Sequence, residues 1–414
     1  MHIAFVSEHA SPLAEFGGPD AGGQNVHVDA LARALVAGGD RVTVFTRRDD
    51  PRLPDRVHAP GGYDVVHVPA GPPCRIPKDD IYPHVPDLAD VLEYEFARDV
   101  PDVVHAHFWM SGLAAVLAAH AARVPIPVVV TFHALGIVKR AFLGDADTSP
   151  PGRVAIETVV ARHAAAVAAT CTDEVFTLAR MGLPAGRSTV IPCGVDLTAF
   201  TGADPTSVNV APRTRRHRIV SVGRLVPRKG FEVAVRALPD IPDTELLLVG
   251  GPADGDVADD PEAHRLDRIA AELGVADRVH LLGKLPREAM PEVLASADLV
   301  ACVPWYEPFG IVPLEAMASG TPVVATAVGG LTDTVIDGVT GTLVPPRDPA
   351  ALAGAARALL DDPAQRSRYA AAGRRRVHER YSWARVAAET RHLYIDVVGR
   401  QVRPGAADRR TSHG

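Results

Sequence analysis

The stretch Glu307-Pro308-Phe309-Gly310-Ile311-Val312-Pro313-Leu314-Glu315-Ala316-Met317-Ala318-Ser319-Gly320-Thr321-Pro322-Val323-Val324-Ala325 decides the fold. It reads as a loop, a helix and a β-branched run, one repeat of an alternating α/β chain. Two carboxylates stand eight positions apart, Glu307 just before the helix start and Glu315 about a turn and a half into it. A carboxylate so placed accepts two hydrogen bonds from a vicinal diol such as a ribose or a hexose. The amides around Phe309, Gly310 and Ile311 open the helix, and free N–H groups there attract a phosphate. A capped helix with an exposed glutamate is the plain alternative, but it does not account for a run of this length.

Working outward, Arg218–Val222, Glu245–Val249, Val279–Leu282 and Leu299–Cys302 join Val323–Ala325 in one strand series separated by helical segments. An earlier series, Val42–Phe45, Val65–Val68, Val103–His105 and Val128–Thr131, alternates with apolar stripes of helix length over Gln24–Ala37 and Trp109–Ala122. The pattern predicts an α/β chain of two doubly wound Rossmann-like domains facing a cleft. We place them at residues 1–200 and 201–385, joined at the polar, proline-bearing stretch Thr201–Arg218. Residues 386–402 are expected to form a C-terminal helix packing back on the first domain, and 403–414 a disordered tail.

Composition narrows the function. The 414 residues are 47% apolar and 22% charged, as in a globular protein, and a net charge of −7 offers nucleic acid or an anionic membrane no broad attraction. The basic runs Arg213, Arg215, Arg216 and Arg374, Arg375, Arg376 read as a linker and a solvated helix face. No secretory leader or membrane-spanning run is recognisable, and Cys74, Cys171, Cys193 and Cys302 are too scattered to pair on a metal. They read as reduced thiols of a cytoplasmic protein.

Two further loops follow strands. Gly17-Gly18-Pro19-Asp20-Ala21-Gly22-Gly23-Gln24-Asn25 lets backbone approach a ligand, although a tight turn alone would look similar, and its spacing is not that of a dinucleotide fingerprint. Gly223-Arg224-Leu225-Val226-Pro227-Arg228-Lys229-Gly230 puts two cations, Arg224 and Lys229, at a strand's carboxyl end, suited to a diphosphate. A solvated basic loop is the alternative there.

Taken together, these three motifs, in this order, resemble the family 4 glycosyltransferases of the GT-B fold, over roughly residues 1–400. The similarity is strongest to the branches acting on inositol phosphate in the mycothiol pathway and making sucrose phosphate. The resemblance implies a retaining hexosyltransferase that uses a nucleotide diphosphate sugar, most simply a UDP-sugar, with the donor in the second domain and the acceptor in the first. It implies that Arg224 and Lys229 bind the diphosphate and steady the leaving group. It assigns Glu307 to the transferred sugar, Glu315 to the ribose, and the backbone of Lys284 and Leu285 to the base. His9, Gly22, Gly23, Phe309, Gly310 and Ile311 join the donor contacts, and His133 meets the sugar and supports catalysis; an ordinary local hydrogen bond is its plainer role.

Asn25, Lys78, Phe108, Ala134 and Arg153 fall at acceptor positions. In the inositol-phosphate branch a Lys, a Tyr, a Thr and an Arg hold the acceptor phosphate; here Phe108 and Ala134 stand where the two hydroxyls would be. Each lost hydrogen bond to a charged group is worth about 1.5–3 kcal/mol, so an unphosphorylated cyclitol, aminocyclitol or sugar becomes an option beside the phosphorylated one. His105 and His107 could suggest a metal, but no carboxylate partner is evident and the resemblance implies metal-free catalysis. We therefore expect no metal and no cofactor, small-molecule donor and acceptor as partners, and a homodimer as one option for assembly. Two alternatives stay open: a nucleotide-sugar epimerase on the same fold, and an inactive nucleotide-sugar sensor.

Overall fold

A computed structural model describes residues 1–14, 23–203, 211–252 and 256–402, with side chains to residue 400. Gly22, with the rest of the glycine motif up to it, and the tail 403–414 lie outside the described residues.

The first sheet has eight strands: β1 His2–Val6, β2 Arg41–Arg47, β3 Arg56–His58, β4 Asp64–Val68, β5 Val103–His107, β6 Val128–Thr131, β7 Ala166–Ala169 and β8 Ser188–Val190. Their order is β3-β4-β2-β1-β5-β6-β7-β8, all parallel except the β3–β4 edge pair. The second sheet has six: β9 His217–Val222, β10 Thr244–Val249, β11 Val279–Leu281, β12 Leu299–Cys302, β13 Val323–Thr326 and β14 Gly341–Val344, in the order β11-β10-β9-β12-β13-β14. Continuous runs such as Val128–Thr131 and Leu299–Cys302 are buried along their length, because helices cover both faces of a parallel sheet. The topology reverses beside β1 in one sheet and beside β9 in the other. Loops leaving β1 and β5, and loops leaving β9 and β12, therefore flank the two crevices where such sheets bind ligands.

The chain crosses between the lobes twice, and the crossings pair with each other. Val195 donates to the carbonyl of Tyr381 at 2.8 Å and bridges Ser382. The helix Trp383–Val402 then packs on Gly23–Ala37 of the first lobe. Three contacts fix it: Arg391 on buried Asp40 at 3.0 Å, Tyr394 Oη on His105 at 2.6 Å, and the Trp383 ring 5.4 Å from that of His27. No described helix is long and apolar enough to cross a membrane.

Candidate active site

On the second lobe the loop after β9 curls over the end of β12. Gly230 permits this: its φ is 75°, and a Cβ there would collide with the carbonyl of Val303. The curl brings the Lys229 ammonium onto the Glu307 carboxylate, both about four-fifths buried. Arg224 is exposed on the same loop. Arg228 faces the same group; burial lowers its pKa, Glu307 works against that, and Arg224 adds to it. Gly310, at φ 86°, turns the chain from Glu307 into the helix Ile311–Ser319. That helix starts on Ile311 and Val312, whose amides have no carbonyl four residues back inside the helix, so they face the loop. Phe309 is buried and anchors the turn.

Further along the helix Glu315 is buried, and one of its oxygens accepts from Arg287 Nη2 at 2.8 Å. Burial raises the Glu315 pKa, and Arg287 pulls it back. Lys284 and Leu285 lie on the neighbouring loop, where Gly251 leaves room: a Cβ there would stand 3.0 Å from the Lys284 amide.

The first lobe presents different chemistry. At the end of β6, His133 takes a left-handed φ of 59°, and at the end of β5, Phe108 has φ 86°. Side chains rarely adopt either, so packing holds both. His107 Nδ1 is 3.1 Å from His133 Nε2, and the two rings stack. Burial pushes both pKa values well below the ordinary histidine value, and drives His27 to about 4 and His105 to about 3. The cluster is thus neutral. His105 bridges Tyr394 and Thr131 Oγ1, while His107 Nε2 is buried without a partner among the described residues. Among the described residues no three His, Cys, Asp or Glu side chains group as metal ligands.

The other first-lobe residues gather around Phe108. The His9 ring meets it edge-on at 4.8 Å, and His9 Nδ1 is 2.6 Å from buried Glu8, whose other oxygen accepts from Ser111. The Lys78 ammonium lies 5.1 Å from the Phe108 centroid and the Arg153 guanidinium 5.0 Å. Arg153 is fully buried: Nε donates to Glu157 at 2.8 Å, Nη1 to Ser149 at 3.1 Å and Nη2 to the Ala134 carbonyl at 2.6 Å. Asn25 is buried and donates to the Ser11 carbonyl.

The two sides meet. A Cβ on Gly23 would stand 3.3 Å from Ile311, so the glycine-loop end of the first lobe abuts the helix start of the second. Phe142 stacks on Tyr306 with centroids 5.0 Å apart, and Asp333 accepts from the Thr172 amide at 2.6 Å. Lys229, Glu307, Gly310 and Ile311 thus lie together across from Gly23, with Glu315 deeper along the same helix.

Sequence reasoning missed Arg287, Glu8, Phe142 and Asp333. Arg228 sat inside a quoted motif and could have been weighed with its neighbours. Arg287, Phe142 and Asp333 act through partners far away in the chain, and nothing local marks them; Glu8 pairs with the adjacent His9 as well as with distant Ser111.

Residues 21–199 match the family described as Glycosyltransferase Family 4, and residues 206–376 that described as Glycosyl transferases group 1. A D-inositol 3-phosphate glycosyltransferase of Xylanimonas cellulosilytica is 38% identical over 96% of this chain and 97% of its own. The chain belongs to the family 4 glycosyltransferases. A second D-inositol 3-phosphate glycosyltransferase, from Geodermatophilus obscurus, is 39% identical over 92% of this chain and 86% of its own. Among solved structures, sucrose-phosphate synthase of Thermosynechococcus elongatus superposes with a TM-score of 0.87 at 34% identity, covering 96% of this chain and 99% of that one. Anabaena HepE, solved with UDP-glucose, shares the fold at a TM-score of 0.72 and 22% identity, covering 95% of this chain and 100% of its own. The chain is a glycosyltransferase with the GT-B architecture.

Proposed function

We propose that this chain moves a hexosyl group from a UDP-sugar to a hydroxyl of a small polar cyclitol, aminocyclitol or sugar, in the cytoplasm and with retention of configuration. One observation carries the reading: Lys229, Glu307 and the start of Ile311–Ser319 converge at one strand end, with Gly23 of the opposite lobe against them. A diphosphate seated there meets Arg224, Lys229 and helix-start amides, which take up charge as the sugar–phosphate bond loosens. Glu307 orients the Lys229 ammonium and faces the transferred sugar. Neutral His133 can donate to or accept from a sugar oxygen, because one ring nitrogen carries a proton and the other a lone pair. The departing phosphate then helps remove the acceptor's proton, so the protein's contribution is orientation and charge stabilisation, with no resident cofactor. The resemblance to HepE and to the inositol-phosphate enzymes supports the uridine donor and the cyclitol acceptor respectively.

On the acceptor side, Arg153 directs its guanidinium inward to Glu157, Ser149 and Ala134, and Phe108 brings no hydroxyl. Lys78 is the second cation against that ring, 5.1 Å from its centroid. This arrangement favours an unphosphorylated acceptor; the relatives' D-inositol 3-phosphate is the second reading, favoured by the 38% identity alone. The test is a screen of UDP-sugars against inositol, inositol 3-phosphate, aminocyclitols and hexose phosphates by mass spectrometry, with the product's anomeric coupling read by NMR. Transfer with retention supports the proposal. Donor consumed into an epimer without acceptor, or bound and never turned over, overturns it.

A further inference from the structure

Arg287, outside the quoted motifs, makes a side-chain ion pair with a carboxylate of the second-lobe donor site. It follows the loop carrying Lys284 and Leu285, lies over the Phe200 ring at 5.7 Å, and is about one-third exposed. From there it fastens one oxygen of Glu315, while the second oxygen accepts no hydrogen bond from a described residue. We infer that Arg287 is a positioning residue for the nucleotide's ribose, holding Glu315 ionised and rotated so that its second oxygen faces the vicinal hydroxyls. The inference rests on the donor-site reading above.

The physical reason is burial. A carboxyl with little water drifts towards its neutral form, and a neutral acid has one oxygen committed as a donor. The Arg287 ion pair opposes that drift. The elements packed around the helix Ile311–Ser319 bring Cys302, Glu292, Asp333 and, on the helix Pro363–Arg380, Tyr369, Glu379, His378 and a run of arginines including Arg374 as further ionisable groups, and Glu288 stands beside Arg287. None of these hydrogen-bonds Glu315 among the described residues. Because Arg287 and the base-binding backbone share one loop, seating the base also sets the carboxylate.

The experiment uses the full chain and calorimetric binding of UDP, ADP and GDP, then the 2′-deoxy form of whichever diphosphate binds. Wild type should prefer the ribose form by about tenfold, the worth of one hydrogen bond to a charged group, with little change between pH 6 and 8. Arg287→Met should erase that preference, and its residual binding should weaken as pH falls. Arg287→Lys should restore part of the discrimination even if the Met variant folds poorly. An Arg287→Met variant that folds and keeps the wild-type preference at every pH sinks the inference. Wild type binding no diphosphate, or ignoring the 2′-hydroxyl, sinks the donor-site reading instead.

Discussion

The two lobes share a wound parallel sheet and present the same strand ends to one crevice, yet they arm those ends in opposite ways. The second lobe uses glycine to bring backbone close and charge to do the chemistry: Gly230 and Gly310 turn the chain, and Lys229 meets Glu307. The first lobe forces side-chain residues, Phe108 and His133, into conformations that suit glycine, and surrounds them with neutral imidazoles. Under the proposed function, the difference follows from what each side would hold. A diphosphate is recognised by cations and amides, whereas a polyol needs shaped walls and uncharged donors and acceptors.

The largest effect that would break this contrast lies on the charged side. Lys229→Ala and Glu307→Gln should each lower kcat/KM by about 10²–10³, with circular dichroism unchanged. Near-wild-type turnover from either would remove the ion pair from the chemistry.

Next comes the backbone. Gly230→Ala should destabilise the second lobe by about 3 kcal/mol, because the new methyl meets the Val303 carbonyl. Denaturant unfolding reads this directly, and an unchanged midpoint would mean the loop has an easy alternative path.

The neutral side should show itself in pH dependence. His27 and His105 have folded values of about 4 and 3 against 6.5 when unfolded. Below pH 6.5 the unfolded chain therefore binds protons that the folded chain refuses, and each ring lowers stability by about 1.4 kcal/mol per pH unit down to its folded value. Buried Glu174, raised to about 7, runs the other way between 4.5 and 7 and offsets one of them. Urea midpoints should fall for wild type between pH 6.5 and 5, and less steeply for His105→Asn. Parallel lines for the two proteins would show that His105 is already charged in the fold.

The smallest expected change concerns the acceptor wall. Lys78→Ala should raise the acceptor KM about tenfold and leave the donor KM alone. Equal shifts in both would place Lys78 on the donor instead.

Much of the second lobe was legible because its chemistry is local. Glu307 to Glu315 and Arg224 to Lys229 each occupy one loop and one helix start, so spacing carries their meaning. The strands β9, β10, β12 and β13 were readable for the same reason, being short apolar runs between helices. The edge strands were not: Arg56–His58 and Ser188–Val190 are half exposed and pair on one side, so they lack the buried-run signature. Ala166–Ala169, although fully buried, is mostly alanine and gives little β-branched signal. On the first-lobe side, Glu8 matters through Ser111, 103 positions away, and Asp333 through Thr172, 161 positions away. Separations of that size leave no periodicity to read. Arg153 shows the reverse error to guard against: an arginine at a ligand position can be engaged wholly by its own protein.

The last helix carries a consequence for how the molecule is made. Trp383–Val402, 20 residues long, supplies the Tyr394 hydroxyl to His105 and the Arg391 charge to Asp40, both in the lobe synthesised first. That lobe emerges from the ribosome with one face bare, and among the described residues its Asp40 is held only by the Met1 ammonium and its His105 only by Thr131. It stays unfinished until the chain's end has been translated, so a stop codon before Trp383 would damage the lobe farthest from it in sequence.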